Sequence, residues 1–219
     1  MWFVQVKNWK VLPLNKENAK KLAQETGLPL FLAMMLEIRG FHTRADVERL
    51  LAYDGQSFDP YLLPDMDKAA ARVRQAIDNF EKIAVYGDYD ADGVTATSVL
   101  FSYLQTCGAD VMYYIPEREG EGYGMNLSAV ERLAQQGVQL IITVDNGISS
   151  HREVERANEL RMDVVITDHH RPQSVLPAAV AVVDAWREDN RSPFREFSGV
   201  GVAFQLMLAL EMEDGDPQS

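Results

Sequence analysis

Among 219 residues there is one cysteine, Cys107. One thiol cannot close an internal disulfide, which excludes a disulfide scaffold and fits a reducing compartment. No apolar run approaches the roughly 18–20 residues that a membrane-spanning helix needs. The opening Met1-Trp2-Phe3-Val4-Gln5-Val6-Lys7 lacks the charged region, apolar stretch and small-residue cleavage site of a secretory signal. The expectation is a cytoplasmic protein with no membrane partner. Positive charge is scarce: 21 Lys and Arg against 33 Asp and Glu leave a net charge of −12. That balance argues against a general nucleic-acid coat, while leaving room for a local basic groove or for a cation site among the acids. Repeats and low-complexity tracts are absent. What remains, 47% hydrophobic and 25% charged with 14 Gly and 9 Pro, is ordinary globular usage for one α/β domain or one and a half.

Two textures follow along the chain. Residues 1–80 read as a helical N-terminal segment. Asn15 caps a helix to Thr26 before Gly27, Pro29 starts Leu30 to Arg39 before Gly40, and Thr43 opens Arg44 to Tyr53 before Gly55. Met66 to Phe80 then carries Ala69, Val73, Ile77 and Phe80 at helical spacing. From residue 81 onward short apolar runs alternate with helices. The runs are Ile83–Tyr86, Val111–Ile115, Leu140–Val144, Val164–Thr167 and Ala179–Val183; the helices are Thr95–Thr106, Leu127–Gln136, His151–Arg161 and Val202–Met212. Strands spaced this way give βαβ units, hence an α/β fold with a parallel sheet and helices on both faces.

Ligands of an open parallel sheet bind beyond the carboxyl ends of its strands. Beyond the first run stand Asp88, Asp90 and Asp92, beyond the second Pro116-Glu117-Arg118, beyond the third Asp145-Asn146-Gly147, and beyond the fourth Asp168-His169-His170. Taken singly, each has a plain reading: an Asx-capped turn, a turn dipeptide, a surface histidine pair. Together they place many carboxylates and two of only four histidines at one edge. Carboxylates that close repel and raise one another's pKa unless a cation intervenes. Oxygen donors suit Mg²⁺ or Mn²⁺, and an imidazole tilts the choice to Mn²⁺. The set exceeds what one ion needs, so a pair about 3.5–4 Å apart is expected, the arrangement that serves phosphoester hydrolysis. His42, His151 and Cys107 lack such company and read as structural, and Asp184, after the fifth run, receives no role.

Val85-Tyr86-Gly87-Asp88-Tyr89-Asp90-Ala91-Asp92-Gly93, Ile142 to Ser149 and Val165 to His170 resemble successive motifs of the DHH phosphoesterase superfamily. Pro116 to Asn126, with its Gly120, Gly122 and Gly124, and Ser198-Gly199-Val200-Gly201-Val202-Ala203-Phe204 resemble its RecJ branch of single-stranded-DNA-specific 5′-to-3′ exonucleases. So does the lead-in from Arg39-Gly40-Phe41 to Asp65-Met66. The resemblance implies Asp88, Asp90, Asp92, Asp145 and His169 as metal ligands, His170 beside the scissile phosphate, and Asp168 orienting the histidines. It implies Arg118, Tyr123 and Gly124 along a single-stranded DNA path, with two Mn²⁺ or Mg²⁺ ions as cofactors. It also implies a role in DNA repair and recombination, releasing 5′-mononucleotides. Members of that branch continue into a further ligand-bearing motif and further domains. The expectation is therefore a DHH domain over 81–219 truncated at its C-terminal side, partnered by the missing C-terminal domains. Two other readings are a hydrolase of pyrophosphate, oligoribonucleotide or cyclic dinucleotide, and a non-catalytic DHH-fold scaffold.

Overall fold

The computed structural model describes residues 12–51, 58–117, 120 and 122–214. Two compact units divide between Gln56 and Ser57. In the first, Asn15 Oδ1 accepts from the Asn18 amide at 3.1 Å and caps α1 (Lys16–Thr26). Gly27 closes that helix at φ 72°, its amide donating to the Ala23 carbonyl at 3.0 Å. Helices α2 (Leu30–Ile38) and α3 (Arg44–Leu51) follow, and Leu22, Ala33, Leu36 and Val47 meet in a small core. The continuation of α3 expected to Tyr53 lies outside the described residues.

The second unit contains a short 3-10 turn (Pro60–Leu62), α4 (Met66–Asp78), β1 (Ile83–Tyr86), α5 (Ala91–Thr106), β2 (Val111–Tyr114), α6 (Leu127–Gln135) and β3 (Leu140–Val144). It continues with α7 (His151–Glu159), β4 (Asp163–Thr167), β5 (Ala181–Val183) and α8 (Gly199–Asp214). All strand pairs are parallel, in the order β2-β1-β3-β4-β5, as the sequence predicts. Alternation within each strand feeds two cores. Ile83, Val85 and Ile142 pack on Val73 of α4, Leu100 of α5 and Leu206 of α8. Ala84, Tyr86 and Ile141 pack on Val130 and Leu133 of α6 and Val154 of α7. Each fully buried aliphatic side chain contributes about 1.5–3 kcal/mol, so both faces must be covered.

Three differences from the sequence reading matter. Helix α4, read in the sequence with the helical segment to residue 80, belongs to the second compact unit and lays Ala69, Val73 and Ala76 on the sheet. Phe80 does not join the apolar face of that helix: α4 stops at Asp78, and Phe80 sits at φ 54° with 79% of its surface exposed. Helices α5 and α8 begin at Ala91 and Gly199, earlier than Thr95 and Val202, which brings both N-termini to the strand ends. Among the described residues no helix is long and apolar enough to cross a membrane.

Candidate metal centre

Strand order reverses beside β1 and β3, and the helices leaving them, α5 and α7, cover opposite faces of the sheet. A crevice opens at such a switch point. Asp88 leaves β1 completely buried, and neither carboxylate oxygen has a hydrogen-bond partner. Burial pushes its pKa up and the charge of Asp90 adds to this, against the pull of the Tyr89 and Gly124 amides and of His170. Asp90, exposed, is the N-cap of α5, its Oδ1 accepting from the Gly93 amide at 2.9 Å. Asp92 lies in the first turn of α5 and is gripped by the N-terminus of α8. Its Oδ2 accepts from the Gly199 amide at 2.7 Å and its Oδ1 from the Val200 amide at 2.9 Å.

Asp145 leaves β3 in the left-handed region at φ 63°, which is sparsely populated by non-glycine residues. It is 2% exposed. Burial, then the charges of Asp92 and Asp90, raise its pKa to about 7. Gly199 forms one wall of its site: a Cβ there would lie 2.5 Å from the Asp145 Cβ. His169, leaving β4, brings Nε2 to 2.9 Å from Asp145 Oδ1 and 3.7 Å from Asp92 Oδ2. Donor atoms of Asp145, His169 and His170 all lie within 4.8 Å of one another, a spacing that one metal ion can bridge.

Asp168 is 1% exposed and acts only as an acceptor. Its Oδ2 takes the Ile148 amide at 2.9 Å. Its Oδ1 takes the amides of His169 at 2.7 Å and His170 at 3.1 Å, and His170 Nδ1 at 2.7 Å. Burial opposes ionisation here, but the His170 side chain and these amides hold the Asp168 pKa below the usual range. The hydrogen bond to Asp168 in turn raises His170 to about 9, so the ring is cationic at neutral pH. The Tyr123 hydroxyl, 3.2 Å from His170 Nε2, donates to the Asp145 carbonyl at 3.2 Å. A hydroxyl spends its one proton once, so it accepts from Nε2–H. Gly124, at φ 73°, is tied to β1 through its carbonyl, which accepts from the buried Tyr86 hydroxyl at 3.2 Å.

The motifs after β1, β3 and β4 are thus brought to one place, with Asp92, Asp145 and His169 in direct reach of one another. Asp88 and Asp90 stand at the same edge, close enough to act on the charges of the others. Arg118 lies outside the described residues. Sequence reasoning left out two features. The amides of Gly199 and Val200 hold Asp92, and the only signal for this was the Ser198-Gly199-Val200-Gly201 run. Asp184, fully buried at the end of β5 with Oδ2 unpartnered, has its pKa raised by burial to about 7.

Residues 82–219 match the DHH family, N-terminal domain. The chain is 44% identical over 204 residues to the single-stranded-DNA-specific exonuclease RecJ of Bacillus subtilis, a match covering 92% of this chain and 26% of that relative. Two solved structures are similar. An exonuclease RecJ bound to manganese has a TM-score of 0.64 and 38% identity, covering 71% of this chain and 39% of that one. RecJ in complex with Mn²⁺ from Thermus thermophilus has a TM-score of 0.62 and 30% identity, covering 92% and 28%. The chain therefore spans about a quarter of the length of its Bacillus relative.

Proposed function

The chain belongs to the DHH family, and from that premise we propose that it is the metal-binding part of a RecJ-type exonuclease. In this reading the longer protein degrades single-stranded DNA from the 5′ end to 5′-mononucleotides, in cytoplasmic DNA repair and recombination. The observation that carries the proposal is His169 Nε2 within 2.9 Å of Asp145 Oδ1 and 3.7 Å of Asp92 Oδ2. These contacts join the ends of three strands in a chain 44% identical to a RecJ.

The residues fit a divalent cation. Both oxygens of Asp88 are buried without hydrogen-bond partners, and Asp145 Oδ1 is buried with only the His169 imidazole beside it at 2.9 Å, a costly state that a cation relieves. The donors are carboxylates and one imidazole, a set that suits Mn²⁺ and less readily Mg²⁺. Asp88, Asp90, Asp92, Asp145 and His169 would hold the metal, whether one ion or two. When bound, such ions lower the pKa of water and neutralise charge on a phosphodiester.

The chain's own residues do the rest. Asp168 holds the His170 ring through Nδ1 and favours its protonated form. In that form Nε2–H faces the crevice, where it can donate to a phosphate oxygen as negative charge develops. Tyr123, 54% exposed, offers a ring face on which a base can stack, and Gly124 lets the strand approach the backbone. Arg118 is assigned to a phosphate. None of these contacts reads sequence, so single strands are selected by the narrowness of the path. The further domains expected of the longer protein supply the rest of the DNA surface, which accommodates the net charge of −12.

The test is release of label from 5′-labelled single strands and from duplex, with Mn²⁺, Mg²⁺ or chelator, by the longer protein and by its Asp145→Ala variant. Cation-dependent release from single strands only, lost in the variant, is expected. Equal cutting of duplex, or full activity without Asp145, would overturn the proposal.

A further inference from the structure

Beyond His170 the chain runs into Arg171, whose guanidinium carbon lies 3.6 Å from the centroid of the Trp186 ring. The two residues line a groove of about 690 Å³ on the carboxyl side of β4 and β5, within the size range of ligand clefts. Among the described residues Arg171 makes no hydrogen bond or ion pair, Glu188 on the same rim included. Its N–H donors, held in one plane by the stack, are therefore free.

The platform beneath it is fixed. The Trp186 amide donates to Asp184 Oδ1 at 2.6 Å. Arg187, the neighbouring cation, engages four of its five N–H donors within the chain, on Asp65, the Val182 carbonyl and both oxygens of Asp189. Arg187 thus braces the turn that carries Trp186, its charge already paired with two carboxylates. A guanidinium stacked on an aromatic ring with an open edge is preorganised for the paired oxygens of a phosphate. Its position, one residue past the histidine assigned to the scissile phosphate, selects which phosphate.

We propose that Arg171, held flat by Trp186, forms a second anion position in the groove, taking a phosphodiester of the same strand adjacent to the one being cut. The inference rests on the single-strand reading above and adds to it a positioning contact outside the metal centre. Trp186 is then a positioning residue, acting through Arg171.

The experiment is salt-titrated binding of a short 5′-phosphorylated, fluorescently labelled oligothymidylate to the chain, with Ca²⁺ present to neutralise the carboxylates. Arg171→Ala is expected to weaken binding about ten- to 100-fold, a charge-assisted hydrogen bond's share. It should also flatten the slope of log K against log[salt] by about 0.7, one phosphate on a single strand. Arg171→Lys keeps the slope and loses affinity. Trp186→Ala weakens binding as Arg171→Ala does, and Trp186→Phe, which retains a ring to stack on, restores it. Mn²⁺ affinity stays unchanged throughout, since no metal ligand is touched. Unchanged oligonucleotide affinity and slope in Arg171→Ala would overturn the inference, as would a wild-type chain that binds no oligothymidylate. Arg171-dependent binding by a protein that cuts no DNA with Mn²⁺ would instead remove the exonuclease reading and leave the anion position standing.

Discussion

Replacing Asp168 by alanine removes the acceptor of three backbone amides and one imidazole. The Ile148 amide is buried with Asp168 Oδ2, while those of His169 and His170 lie nearer solvent. One buried amide left without a partner costs about 1–3 kcal/mol, and the two partly wet amides add about 0.5–1 kcal/mol each. The His170 side chain is 46% exposed, so screening leaves its ion pair a minor share. The sum is on the order of 3–4 kcal/mol, a large part of a domain's roughly 5–15. At an m-value of about 2 kcal/mol/M, the urea midpoint should fall by about 1.5–2 M. Asp168→Asn keeps one oxygen but turns an NH₂ toward donors, and should lose about half as much. Both variants should return the His170 pKa from about 9 toward the ordinary histidine value, because Asp168 is the largest cause of that shift. The pH dependence has a definite sign. A histidine whose folded pKa is raised adds stability that is full below its unfolded pKa of about 6.5 and is lost as pH climbs through the folded value. Asp168, whose folded pKa is lowered, adds stability that is present above about 3.9 and is lost in acid. The gap between wild type and Asp168→Asn should therefore be widest between about pH 4 and 6.5 and shrink toward pH 9. Urea unfolding in chelator at a series of pH values, with an NMR titration of the His170 ring, measures both. An unchanged midpoint for Asp168→Ala, or a gap that grows between pH 7 and 9, would refute the reasoning.

Gly199→Ala places a Cβ 2.5 Å from that of Asp145, so Asp145 or the start of α8 must shift: calorimetric Mn²⁺ affinity should drop about tenfold or more and the cation-free melting temperature should fall as well, whereas unchanged Mn²⁺ affinity would count against a role for this wall. Asp184→Asn should stabilise the cation-free protein increasingly as pH rises from about 4 to 7, since over that range the folded carboxyl, held at about 7, keeps its proton while the unfolded one ionises, which drains wild-type stability; a pH-independent difference in unfolding free energy would count against it. Tyr86→Phe removes the buried hydroxyl that holds the Gly124 carbonyl and meets Asn126 Nδ2 at 3.2 Å. It should cost about 1–2 kcal/mol and speed hydrogen exchange in residues 122–126, whereas unchanged exchange would show that the loop is held elsewhere.

The strands were legible because Ile83–Tyr86 and Leu140–Val144 are buried on both faces, and a sheet sealed on both sides leaves unbroken apolar runs. The acids and histidines at its edge were legible for the same reason, since each follows such a run. Helix starts were harder. Asp90 is at once an acid of the cluster and the cap of α5, and Gly93 behind it weakens the local helical signal. Gly199 opens α8 because its amide meets Asp92, 107 residues away in sequence, a cause that no local window contains. Phe80 misled by continuing the 3.6-residue period past the point where Asn79 had already ended α4. Asp184 looked like any acid after a strand, and only burial marks it out. The Arg171–Trp186 stack joins two loops whose proximity depends on β4 pairing with β5.

Anomalous scattering from a crystal of the protein grown with Mn²⁺ tests the central claim most directly. The account predicts a manganese peak within bonding distance of Asp145 Oδ1 and His169 Nε2, with Asp88 turned toward it and the peak absent in Asp145→Asn. Manganese bound only at surface acids, or bound at this edge with Asp145 replaced, would contradict it.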